Sequence, residues 1–319
     1  MNAIDKRTQD LYNYRPDLTL PQNAIDGFWA PLLKQAAEKP LHDRVEPVET
    51  YMQGIEAYDV SFEGFDDTPI RAWYLVPAQL QLDAYPCIVF FHGYTGSREL
   101  PEQYAAWLLA GFAVLAVDVR GQGDTGNRLA SEHGGTKGWL TQNMTDPLRC
   151  YYMAIAIDAY QAVEWATARA EVDPLRIAVM GGSQGGGLAL LASALHPGVA
   201  YCVADIPNMC HMDYGILHSA SSLTEAAAYI KRYPDTLEAV LDTLAHFDML
   251  NLSHRIRIPV RMTVGLKDLV CMPETIFAVY NRLDTDKQLD VYPFSGHEVG
   301  TRQTRRHMEA LCGWAFARQ

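Results

Sequence analysis

Apolar residues in this chain gather into short continuous runs, and between most runs they recur at helical spacing. The runs are "PCIVFFHG" (86–93), "FAVLAVDVRG" (112–121), "RIAVMGGS" (176–183), "YCVADIP" (201–207), "VRMTVGLKD" (260–268) and "LDVYPFSGH" (289–297). Each is continuous rather than alternating, as strands covered on both faces must be. Between them, 151–169 sets Ile155, Ala159, Ala162, Val163 and Ala166 on one helical face. Strand and helix signals in alternation predict an α/β fold with a mainly parallel central sheet flanked by helices. Ahead of this series, "YDVSFEGFDDTPIRAWYLVP" (58–77) holds two alternating runs around "GFDD", a β-hairpin pattern. Residues 1–50 mix helix signals with Pro16, Pro21, Pro31, Pro40 and Pro47, and read as an N-terminal arm with one helix near 24–38. The gap 208–259 is too long for a simple crossover. Two helical patterns in it, 222–233 and 235–247, predict a helical insert beside the strand ends, where α/β proteins bind ligands.

Composition narrows the possible partners. The 319 residues are 49% hydrophobic and 20% charged, enough for a large core in one domain spanning 1–319. The net charge of -12 disfavours nucleic acid and anionic membrane as partners. The basic run "TRQTRR" (301–306) reads as the solvated face of a C-terminal helix. The first residues lack an apolar core of signal-peptide length, and no window approaches the ~18 apolar residues of a membrane span. Six cysteines without a CxxC pair fit a reduced, cytoplasmic protein. Cys210, His211 and Asp213 in "CHMD" are the one grouping that hints at a metal, and nothing else has ligand spacing. No metal or cofactor is expected.

The chemistry centres on "GGSQG", Gly181 to Gly185, which fits G-x-S-x-G. A buried-strand run precedes it, and Leu188, Leu191, Ala192 and Leu195 follow at helical spacing. Strand, serine, helix is the pattern of a nucleophile elbow. A serine there takes a strained backbone, and Gly181 and Gly185 let strand and helix approach the turn. Gly182, Gly186 and Gly187 are expected to permit close packing as well. The helix N-terminus offers free N–H groups, and that of Gln184 would face a developing oxyanion.

A serine hydroxyl needs a base. His297 follows the last strand-like run, in a loop opened by Gly296. Asp268 lies between serine and histidine and also follows a strand, where an acid would orient the imidazole. Asp213, Asp242 and Asp248 are rivals for the acid, but they lie in the insert. The loop "FFHGYTGS" (90–97) would supply the second oxyanion donor, the N–H of Tyr94. His92 in that loop reads as a brace.

Together these motifs resemble carbohydrate esterase family seven, the acetyl xylan esterase and cephalosporin C deacetylase enzymes. That family's RGQ, GxSQG and HE stand here as Arg120-Gly121-Gln122, Gly181 to Gly185 around Ser183, and His297-Glu298. The similarity extends through "NAIDGFWAPLL", "HFDMLNLSHRIRIPVRMTVGLKD", "PETIFAVYNRL" and "VYPFSGHE", nearly the whole chain. It implies one α/β-hydrolase domain, a Ser183, Asp268 and His297 triad, and an oxyanion hole from Tyr94 and Gln184. It also implies removal of acetyl groups from oxygen in small substrates such as xylo-oligosaccharides and cephalosporin C. No cofactor is implied. Family members are intracellular and often hexameric, so a homo-oligomer is expected, with Arg120 tying loops near the site. Two segments depart from the family pattern: "CYYMAIAID" (150–158) in place of a tyrosine- and arginine-rich run, and "NMCHMDYGILHSASS" (208–222). A prolyl-oligopeptidase-like peptidase shares the fold and residue order, but there is no propeller domain, and Gln184 stands where those enzymes usually have tyrosine. An inactive hydrolase used as a binding protein would usually lack a triad member.

Overall fold

The six continuous runs become neighbouring strands of one sheet. The computed structural model describes residues 1–131, 136–300 and 302–317. The strands are β1 Arg44–Val48, β2 Glu56–Glu63, β3 Pro69–Val76, β4 Tyr85–Phe91, β5 Ala113–Val117, β6 Val172–Gly182, β7 Val199–Asp205, β8 Val260–Gly265 and β9 Lys287–Tyr292. Their order is β1-β2-β3-β5-β4-β6-β7-β8-β9. The pairings from β1 to β3 and of β3 with β5 are antiparallel; all others are parallel.

The helices are α1 Ala3–Tyr12, α2 Gln22–Glu38, α3 Ala105–Leu109, α4 Tyr151–Thr167, α5 Gln184–Leu195 and α6 Met212–His218. They continue with α7 Leu223–Arg232, α8 Leu237–Ala245, α9 Met249–Leu252, α10 Pro273–Tyr280 and α11 Gln303–Phe316. Alternate residues of β4 go to opposite faces, as the two-residue period of a strand requires. Cys87, Val89 and Phe91 join the large core beneath α4 and α5, and Ile88 joins a smaller core with Trp107, Phe112 and Leu311 under α3 and α11. Among the described residues no helix is long and apolar enough to cross a membrane.

Three details differ from the sequence reading. The arm carries an additional helix, α1, closed by an Asn2–Asp5 capping box whose polar residues hid its periodicity. It also ends in an edge strand, β1, whose exposed RVEPV pattern gives no burial signal. The insert folds into four helices, α6 to α9; the outer two are too short to show a period. Thr301 of the basic run lies outside the described residues.

One buried ion pair ties the hairpin to the parallel half. Arg120, fully buried, sends Nε and Nη2 to Asp158 of α4 at 2.6 and 2.8 Å and Nη1 to Asp66 at 3.1 Å. Asp158 also accepts the Phe65 N–H at 2.7 Å. Removing the cation strands a buried carboxylate. Arg120→Leu is expected to lower the unfolding free energy by about 3–5 kcal/mol, read from urea denaturation.

Candidate active site

All six parallel strands end on one edge of the sheet, and the candidate residues follow those ends. Ser183 stands between β6 and α5 with φ +56° and ψ −117°, a conformation that L side chains rarely adopt. Its N–H donates to the Asp205 carbonyl at 2.9 Å, and its carbonyl accepts from Gly187 and Asn208 at 3.0 and 2.9 Å. A Cβ on Gly185 would overlap the Phe91 carbonyl, and one on Gly181 would overlap the backbone of Gly185. Gly186 and Gly187 are also close-packed, their Cβ positions lying 2.8 and 2.7 Å from the carbonyls of Asp205 and Asn208. Gly182 is different: a Cβ there comes no nearer than 3.9 Å to a neighbour, so close packing does not require it.

His297 lies after β9, with Nε2 3.0 Å from Ser183 Oγ and Nδ1 2.8 Å from Asp268 Oδ2. Asp268 is buried after β8, and its other oxygen accepts the Val270 and Cys271 N–H groups at 2.7 and 3.0 Å. The carboxylate is thereby fixed, and it accepts the Nδ1 proton. Nε2 is left bare toward the serine hydroxyl. Glu298 is exposed beside His297 and makes no side-chain hydrogen bond among the described residues.

Gln122 joins the two expected oxyanion segments. Its Oε1 accepts the Thr95 N–H at 2.7 Å, and its Nε2 donates to Gln184 Oε1 at 3.0 Å and to the Tyr151 hydroxyl at 2.9 Å. Tyr151 in turn donates to the Arg120 carbonyl at 2.6 Å. Gln184 opens α5, where leading N–H groups have no acceptor within the helix. The Tyr94 N–H donates to no acceptor among the described residues.

His92 is a brace in the structure. Its Nε2 accepts the Val119 N–H at 2.9 Å, so Nδ1 carries the proton and donates to the Gly93 carbonyl at 2.7 Å. Burial pulls its pKa below the ordinary histidine value, against the Gly93 bond and the Asp118 charge.

The rival acids have other partners. Asp248 accepts N–H groups of His211, Met212 and Leu250 at 2.7, 2.6 and 2.8 Å, and burial still pushes it up to about 7. Asp213 lies 3.3 Å from His211 Nε2. Asp242 lines a separate cavity with Asp213 and Asp248, and it is its backbone carbonyl that faces His246 Nδ1 at 2.8 Å. Cys210 is buried with its thiol on the Asn208 carbonyl. Among the described residues no group of three or more His, Cys, Asp or Glu is placed to hold a metal ion.

Two features were not legible in the sequence. A cavity of about 620 Å³ opens over Ser183 and His297, with Ser221, Ser222, Thr224 and Glu225 of the insert and Thr136 and Lys137 on its walls. Behind the elbow, Asp205 at the end of β7 is gripped by His307 of α11, whose Nε2 lies 3.0 and 2.9 Å from its carboxylate oxygens. Thr263 Oγ1 donates to the same carboxylate at 3.0 Å.

Serine, aspartate and histidine in that order, after the parallel strands β6, β8 and β9, define an α/β-hydrolase. The family model Acetyl xylan esterase (AXE1) matches residues 1–313, and the chain belongs to that family. Its fold superposes on an acetyl xylan esterase from Paenibacillus sp. R4 with a TM-score of 0.90 at 37% identity, covering 95% of this chain and 98% of that one. Acetyl Xylan Esterase 1 from Thermoanaerobacterium sp. JW/SL YS485 gives 0.90 at 29%, covering 95% and 97%. Acetyl esterase Axe7A of Xylanibacter ruminicola is 25% identical over 291 residues, 89% of this chain; the chain spans 65% of that relative's length.

Two outcomes follow from the packing and the protonation states. Gly185→Ala is expected to cost about 3 kcal/mol or more in urea unfolding, and Gly182→Ala less than about 1 kcal/mol. His92 is neutral when folded and titrates lower than in the unfolded chain. Its contribution is therefore complete above the unfolded value near 6.5 and declines as the pH falls below it, down to the folded value. The stability gap between wild type and His92→Gln should narrow from pH 7.5 to 5.5, measured by urea denaturation at each pH.

Proposed function

We propose that the protein hydrolyses acetyl esters of small alcohols through an acyl-enzyme, with Ser183 as nucleophile, His297 as base and Asp268 as its orienting acid. The observation that carries this is the unbroken relay from Ser183 Oγ to His297 Nε2 at 3.0 Å and from Nδ1 to Asp268 at 2.8 Å, on a strained elbow in a chain of this family. His297 Nε2 takes the hydroxyl proton as Oγ bonds to the acetyl carbonyl carbon. The carbonyl oxygen becomes an oxyanion facing the N–H groups of Tyr94 and Gln184. His297 then gives its proton to the alcohol oxygen, the C–O bond breaks and acetyl-Ser183 remains. Water repeats the cycle, releasing acetate and restoring the serine. The protein's own groups supply the base, acid and oxyanion donors, so no step calls on a cofactor.

Acetylated xylo-oligosaccharides and cephalosporin C-like acetates are the proposed substrates. The acetyl xylan esterases among its relatives support the first, and the hydroxyl-rich cavity wall of Ser221, Ser222 and Thr224 suits a polyhydroxylated alcohol. Six cysteines, none in a disulfide, support a reducing compartment, the cytoplasm. Family resemblance supports assembly as a homo-oligomer.

Ser183→Ala should lower kcat on 4-nitrophenyl acetate by about 10⁴- to 10⁶-fold. Near-normal turnover by that variant would sink the assignment. On a panel of 4-nitrophenyl esters, kcat/KM should fall sharply beyond acetyl; a preference for longer acyl chains would count against the deacetylase reading.

A further inference from the structure

The insert's wall of the cavity carries a carboxylate that the mechanism above does not use. Glu225 of α7 turns Oε2 onto the Tyr94 hydroxyl, which donates to it at 2.8 Å. The same hydroxyl oxygen accepts the Trp139 N–H at 3.1 Å, and the Tyr94 and Trp139 rings meet edge to face, 5.4 Å apart. Two segments far apart in the chain therefore hold the tip of Tyr94. Its base is held too, because the next N–H, that of Thr95, is bound by Gln122. The N–H of the residue so held, that of Tyr94, donates to no acceptor among the described residues.

The arrangement is maintained against its cost. Burial raises the Glu225 pKa, opposed by the Tyr94 bond and the Lys137 charge. Burial, with Glu225 beside it, likewise holds the Tyr94 phenol above its ordinary value, so it remains a donor. Gly138 makes the room. Its φ is +88°, and a Cβ there would overlap the Glu225 carboxylate. A carboxylate partly withdrawn from water, admitted by a glycine and aimed at one hydroxyl, acts on that hydroxyl.

We infer that Glu225 is a positioning residue for the oxyanion hole, fixing through the Tyr94 hydroxyl the residue whose backbone N–H faces the developing charge. The helical insert then governs the rate of the chemical step, beyond shaping the pocket for the alcohol. This rests on the esterase reading given above.

The test compares Glu225→Ala, Tyr94→Phe, their double variant and Glu225→Gln in the full chain. Each is assayed on 4-nitrophenyl acetate and on an acetylated xylo-oligosaccharide. Rates are expressed per active site titrated with a fluorophosphonate, so an unfolded fraction does not enter. Each single truncation should lower kcat by about 10- to 100-fold, equally on both esters, with KM within about twofold. The double variant should lose no more than Tyr94→Phe alone, since that variant already removes the bond to Glu225 together with the one from the Trp139 backbone N–H. Glu225→Gln keeps an acceptor and should recover kcat to within about fivefold of wild type. Unchanged kcat in the singles, losses that multiply in the double, or a defect confined to KM for the sugar ester would overturn the role of Glu225. A wild type that neither reacts with fluorophosphonate nor turns over acetate esters would instead remove the esterase reading beneath it.

Discussion

The site depends on holding one serine in a backbone conformation that its Cβ disfavours. Such a residue costs about 1–3 kcal/mol and persists only where its surroundings over-determine it. Here Asp205 binds the Ser183 N–H, Gly187 and Asn208 bind its carbonyl, and α5 is drawn against β4. The strain lifts the hydroxyl clear of the sheet edge, where His297 can reach it. The glycines follow from the same demand: Gly181 and Gly185 are the points where strand and helix backbones come too close for any side chain.

A second layer of polar ties converts that turn into a site. Gln122 holds the Thr95 backbone with one end and the Gln184 side chain with the other, so the two segments flanking the serine cannot drift apart independently. Arg120, two residues earlier, anchors the same loop to Asp158 on α4 and to Asp66 by the hairpin. Buried polar groups of this kind are stabilising when every partner is present and costly when one is missing.

All six runs became strands of the parallel half, and from β4 to β8 this was legible because strands covered on both faces are continuously apolar; β9 is an edge strand whose one buried residue is Asp290, so its burial differs from that expectation. The elbow was legible from Ser183 and the periodicity after it, and Asp268 and His297 from their places after strands. What was lost follows from the physics. The α1 helix is set by a polar capping box rather than an apolar stripe, and β1 is an exposed edge. Gly182 looks in sequence like its neighbours, yet only three-dimensional packing tells it apart. Glu225 meets Tyr94 across 131 positions, and no local pattern encodes that approach.

The grip of His307 on Asp205 gives the chain's direction of synthesis a consequence. A nascent polypeptide that has emerged only as far as His297 already contains serine, base and acid. The carboxylate at the strand end that seats the serine has Thr263 but still lacks His307, 102 residues away on α11. Domains generally fold as units. The polar support behind the nucleophile is therefore complete only when α11 has packed against the end of β7.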